Sequence, residues 1–116
     1  MDSNMRVVII EPGKPARIAE IDSGLESMQA IVGGYIQVIS AKAMPGGEAL
    51  GHDMILVLNE EGKLEGLPYN FKLWGGEDHA VGTCFVCKEQ GDELVGLTED
   101  EANLVVGLID TKEVKK

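Results

Sequence analysis

Two cysteines and two histidines are the side chains of this sequence best suited to chemistry, and their spacing limits what they can do together. Cys84 and Cys87 enclose the stretch CFVC, inside a run, AVGTCFVCKE, that reads as a strand over 80–89. Residues three apart on a strand point to opposite faces, so the two thiols cannot meet one metal ion without a bulge or turn. A zinc site would also have to recruit His52 and His79, which stand alone and lack a second CxxC pair. As a redox pair, the cysteines lack the usual place at a helix N-terminus after a strand. The expectation is two small, soft core residues, with no metal, no cofactor and no catalytic thiol. His79 beside Glu77 or Asp78 offers a second chemistry, a small hydrolase or transferase, but adjacent strand residues point apart.

The stretch NEEGKLEGLPYN, 59–70, is a different kind of candidate. Its first half fits a hairpin turn, with Asn59 ending a strand and Gly62 at positive φ. In the second half Pro68 holds Leu67 extended and can donate no ladder bond. Tyr69 and Asn70 then supply stacking and hydrogen-bonding capacity on an irregular segment, where binding residues often sit on a rigid scaffold. A third glycine-bearing stretch, GGYIQV, follows a helix and precedes a strand, the reverse of a phosphate-binding loop. Gly33 and Gly34 are there expected to end the helix in the left-handed conformation. Tyr35, Asn59, Leu67, Tyr69, Asn70 and His79 form the candidate ligand or partner surface, with Gly33, Gly34, Gly62 and Pro68 shaping the backbone around them.

These residues need a scaffold, and 116 residues are enough for one domain with its own core. Apolar residues make up 44% of the chain and aromatic residues only 4%, so Val, Ile, Leu, Met and Ala must fill that core. The net charge is −10, and through Thr111 the chain carries nineteen acidic residues against seven basic ones. Gripping phosphates needs clustered Lys and Arg, so direct nucleic-acid binding is disfavoured. Charge alone gives some support to an acidic mimic of DNA that occupies a DNA-binding protein. No apolar run approaches the roughly 20 residues that span a bilayer, and MDSNMRVVII lacks the basic start of a signal peptide. The expected compartment is the cytoplasm, with both thiols reduced.

MRVVIIE (5–11) closed by PGKP reads as a strand and turn, and ARIAEID (16–22) as its hairpin partner. Asp22 or Ser23 is the expected cap of a helix bearing Leu25, Met28, Ile31 and Val32. YIQVISA (35–41) reads as a strand, 42–53 as a mobile glycine-rich loop, and MILVLN (54–59) as a strand buried on both faces. Trp74 in the weakly patterned FKLWGGED is an expected, partly buried anchor. LTEDEANLVVGLI (97–109) is a helix with Thr98 and Glu101 in capping-box spacing and a buried stripe of Leu104, Val105 and Leu108. The order predicts a single compact α+β domain, 1–116, with a mainly antiparallel sheet, two helices and fraying at 1–4 and 112–116.

VVIIEPGK, IDSGLESMQAIVGGYIQVI, LVLNEEGKLEGLPYN, GTCFV and LTEDEA occur in that order. As an ordered set they resemble a family of small bacterial, plasmid and phage proteins, domain of unknown function 3846 (DUF3846). The chain departs from the family pattern in 41–53 and in FKLWGGEDHA. The resemblance brings no catalytic residues. It implies an accessory protein of mobile elements, more a binder than a metabolic enzyme. Partners of that kind are a host protein, as in counter-defence, or a sequestered small signalling molecule. Exposed apolar area beside a sheet edge would favour a homo-oligomer.

Overall fold

The computed structural model describes residues 4–113. Eight strands and two helices follow one another as β1 (Asn4–Ile10), β2 (Arg17–Asp22), α1 (Leu25–Val32), β3 (Ile36–Ser40), β4 (Met54–Asn59), β5 (Tyr69–Leu73), β6 (Asp78–Val81), β7 (Cys84–Gln90), β8 (Glu93–Val95) and α2 (Glu99–Glu113). The main sheet is ordered β2-β1-β7-β4-β3, with β8 paired to β7 and β5-β6 forming a small separate sheet. Every pairing is antiparallel, so the architecture is α+β as the pattern predicts. The expected fraying at residues 1–3 and 114–116 lies outside the described residues, while Asn4 stands in β1 and 112–113 in α2.

Alternation along β7 divides the interior into two cores. Cys84 and Val86 face one, with Val8, Leu56, Phe71 and the α2 residues Ala102, Val105 and Ile109. Phe85 and Cys87 face the other, with Val7, Ile9, Val57 and the α1 residues Met28 and Val32. The sheet is therefore covered by α1 on one face and by α2 with the β5-β6 sheet on the other. MILVLN is buried at all six positions, as a continuous apolar run requires.

Several local expectations are corrected. The residue preceding α1 at its cap is Gly24, while Asp22 Oδ1 accepts the Gly24 N–H at 2.8 Å and serves the turn before it. Gly33 does end α1, at φ 85°, with its N–H on the Gln29 carbonyl at 2.8 Å. Residues 42–53 form two 3₁₀ turns, not a mobile loop, because Ala43, Met44 and Leu50 are core residues that pin the segment down. The strand expected over 80–89 is two strands belonging to two sheets, broken at Gly82, whose φ is 74°. Residues 69–73, expected to be irregular, are β5. The stripe of α2 runs through Ala102, Val105 and Ile109, leaving Leu104 exposed and Leu108 half-buried, since a small alanine permits the close approach.

NEEG is not a hairpin turn. β4 pairs with β3 and β7, and the chain leaves it through successive turns over 60–66 into the second sheet. Gly62 does not take positive φ; Gly66 does, at 73°. What Gly62 supplies is room, because a Cβ there would lie 2.8 Å from Val81 Cγ2.

The capping box of α2 forms as expected. Thr98 N–H donates to Glu101 Oε1 at 2.8 Å, and Glu101 N–H donates to Thr98 Oγ1 at 3.1 Å. Lys88 of β7 pairs with Glu101 at 3.1 Å and ties the first turn of α2 to the centre of the sheet. The Thr98 N–H, followed by Lys88, holds the Glu101 carboxyl below its ordinary range. A depressed folded-state value means stabilisation that is present above the unfolded value of 4.5 and lost as pH falls through the folded one. In urea titrations wild type should thus lose stability below pH 4.5 more steeply than Glu101→Gln, which keeps a capping side chain but cannot titrate.

Two glycines separate space from propensity. A Cβ at Gly47 would collide with the carbonyls of Ala41 and Lys42, whereas one on Gly107 in α2 meets nothing within 4 Å. Gly47→Ala is expected to cost about 1–3 kcal/mol. Gly107→Ala should instead stabilise by about 0.5–1 kcal/mol, both read from urea midpoints.

Candidate functional site

A hollow of about 490 Å³ among the described residues lies where the turn between β1 and β2, strand β5 and the last part of α2 meet. One wall follows from local sequence, and the other two are fastened to it by long-range hydrogen bonds. Glu11-Pro12-Gly13-Lys14 turns with Gly13 at φ 77° and the Lys14 N–H on the Glu11 carbonyl at 3.1 Å, the pattern expected of a type II turn. The Ala16 N–H donates to Asp110 Oδ1 at 3.1 Å, which fastens α2 to that turn. Asn70 Nδ2 donates to the Ile10 carbonyl at 2.9 Å and to the Gly82 carbonyl at 2.8 Å, which fastens β5 to the end of β1.

The floor is apolar, built from Ile10, Ala16, Phe71 and Ile109, and the rim is polar. Glu11 on that rim sits 3.3 Å from Lys14 Nζ and 3.5 Å from Arg17. Lys14, with help from Arg17, holds the Glu11 carboxyl below its usual range. Because both Nδ2 hydrogens of Asn70 are spent on carbonyls, the orientation of its amide is set by chemistry. Its Oδ1 meets no hydrogen-bond partner among the described residues. Tyr69 is 48% exposed, its ring 5.6 Å from the His79 ring and tilted 37° to it. An apolar floor with a few convergent polar groups is the usual make-up of a small-molecule site.

The six candidate surface residues are brought together only in part. Tyr69 and Asn70 line this hollow, while Asn59 and His79 line a second, smaller one of about 250 Å³. Asn59 is buried and structural in its contacts: Nδ2 donates to the Val32 carbonyl at the end of α1, and Oδ1 accepts the Glu61 N–H at 2.8 Å. Gly34 has to be small beside it, since a Cβ there would lie 3.0 Å from Asn59 Nδ2. Leu67 packs on Gly62 and Gly82, and the Pro68 carbonyl accepts the Gly82 N–H at 2.7 Å. Tyr35 is exposed ahead of β3 and lines neither hollow. The Asp78 carboxylate contacts Lys63 and accepts the backbone N–H of His79. Lys63, and then that N–H, hold it below its ordinary range.

Glu11, Lys14, Ala16 and Asp110 were not among the expected site residues. A Pro-Gly turn bearing a lysine was the available signal for the first three; nothing in the sequence pairs Asp110 with Ala16.

The family described as "Domain of unknown function (DUF3846)" matches residues 5–110. The chain belongs to this family. No curated protein and no solved structure matches it. In this DUF3846 domain two of the stretches that carry the resemblance, VVIIEPGK and GLPYN, meet at the larger hollow although they are far apart in the chain. Among the described residues no group of three or more His, Cys, Asp or Glu is placed to hold a metal ion. Nor is any helix there long and apolar enough to cross a membrane.

The two thiols face different cores, and burial pushes both up, Cys87 to about 12 with a further push from Glu89. Neither is a nucleophile near neutral pH. A chromogenic disulfide reagent at pH 8 should therefore leave both cysteines unmodified in the native protein and titrate both after unfolding in urea.

Proposed function

We propose that this chain is a non-catalytic binding protein that holds a small ring-bearing molecule in the hollow between the β1–β2 turn, β5 and α2. The observation that carries the reading is the Asn70 amide, pinned by two carbonyls at the wall of a hollow with an apolar floor, where its oxygen would accept a ligand donor. Half-exposed Tyr69 offers a surface for a flat ring. The ionisable groups nearby favour binding over catalysis. Glu11 is stabilised as the anion and is a poor proton carrier at neutral pH, and no accessible thiol faces the hollow. In the setting that the family resemblance implies, this would be a cytoplasmic accessory protein of plasmids or phages. Sequestering a small signalling molecule of the host, as in counter-defence, is the role such a site would serve.

Native mass spectrometry of the protein taken from a plasmid- or phage-bearing host tests the reading. The expected result is a mass above that of the bare chain, with the extra species lost from Tyr69→Ala and Asn70→Ala. For the isolated species, Tyr69→Ala should weaken binding roughly five- to tenfold, the order of one aromatic contact. A bare chain mass sinks the proposal, as does retention by both variants with the circular dichroism spectrum unchanged.

A further inference from the structure

The two edges of the main sheet are unequally guarded. The β2 edge carries Arg17, Glu20 and Asp22, charges of the kind that deter strand addition. The β3 edge carries none: Tyr35-Ile36-Gln37-Val38-Ile39-Ser40 has no charge and no proline, and β3 has an unbroken register against β4. The Glu60 N–H donates to the Tyr35 carbonyl at 2.8 Å, which makes that pair a hydrogen-bonded one. Antiparallel alternation then turns the backbone groups of Gln37 and Ile39 toward β4 and those of Ile36 and Val38 outward. No backbone partner among the described residues meets the outward groups. The Val38 side chain is 40% exposed beside them.

The smaller hollow adjoins this edge. Gln37 and Ile39 form one of its sides, and Leu64 and Trp74 stand on it at 87% and 50% exposure. Trp74 is held at φ 48°, a left-handed conformation that a bulky residue rarely adopts. As the expected partly buried anchor, it leaves half its surface exposed. At the same end of β3 the exposed residues Glu60, Glu61 and Glu65 follow β4, and the one lysine among them, Lys63, is paired with Asp78.

We propose that the open edge of β3 takes an extended peptide segment of a partner protein as an added antiparallel strand. Its alternate apolar side chains enter the hollow beside Trp74 and Leu64, and a Lys or Arg lies over Glu60 and Glu61. Backbone bonds to Ile36 and Val38 supply affinity, the hollow supplies selection for apolar side chains, and the acidic flank sets direction. A second copy of this chain fits less well. Each copy carries a net charge of −10, and its own β3 brings no basic residue. Its nearest cation, Lys42, is committed to the carbonyls of Glu48 and Leu50. The inference stands apart from the small-molecule site, because Tyr69 and Asn70 line the other hollow.

The test is selection of displayed random peptides of roughly ten residues, long enough to span a strand of this kind, against the whole protein. Enriched peptides should alternate apolar residues, avoid internal proline and carry Lys or Arg at one end. Val38→Pro removes only an N–H that the fold leaves unused, and should weaken their binding about tenfold or more. Val38→Lys, which keeps the backbone intact and charges the edge, should do the same if the proline variant fails to fold. Asn70→Ala, at a residue that lines only the other hollow, should leave peptide binding unchanged, so failure here and failure of the small-molecule reading are distinguishable. Three results overturn the proposal: no enrichment, peptides that bind Val38→Lys as well as wild type, or a wild-type dimer that Val38→Lys dissociates.

Discussion

The rest of the structure hangs on β7, because β1 and β4 share no ladder of their own and are joined only through it. Four consecutive β7 residues, Cys84 to Cys87, are fully buried, and their alternation supplies side chains to both cores in turn. This is why the strand is apolar on both faces and why its cysteines are small core residues with suppressed thiolates. It also makes the fold strongly non-local. The β1-β2 hairpin and the β3-β4 pair can form early, but they join only when the residues after Gly82 arrive between them.

Where ladders end, two asparagines take over the fastening. Asn59 ties the end of α1 to the exit from β4, and Asn70 ties β5 to the last carbonyl of β1 and to the break before β7. Both amides bond backbone groups at the ends of strands and helices, where such groups are costly to bury unpaired. The larger hollow is a by-product of this arrangement. Its floor is core, its walls are three elements that cannot pack flush, and the side-chain bonds among them hold it open at a fixed shape.

The sheet edges show a second consequence of the same topology. Of the two outer strands of the β2-β1-β7-β4-β3 path, β2 carries charges and β3 does not. The net charge of −10 adds a long-range bias of its own, since an acidic surface attracts cations and repels anions.

The strands β1, β2, β3 and β4, both helices, the α+β class and the capping box were legible because each rests on local periodicity or local hydrogen bonding. Residues 35–41 and 54–59 announce strands by β-branched runs, and Thr98 with Glu101 announces a helix start, whatever surrounds them. The opposed cysteines were legible for the same reason, the two-residue repeat of a strand. What could not be read was assignment between elements. AVGTCFVCKE looks like one strand, yet Gly82 sends its halves into different sheets. Residues 42–53 look mobile, yet Met44 and Leu50 find the core. Leu104 looks buried and Ala102 does not, yet the sheet selects the face of α2 with the smaller residue. NEEGKLEGLPYN looks like a turn with a spare tail, yet it links two sheets, Gly62 yields space and Asn70 becomes a bolt. In each case the deciding contact joins residues far apart in the chain, and residue type and spacing carry no record of which distant partner will be met.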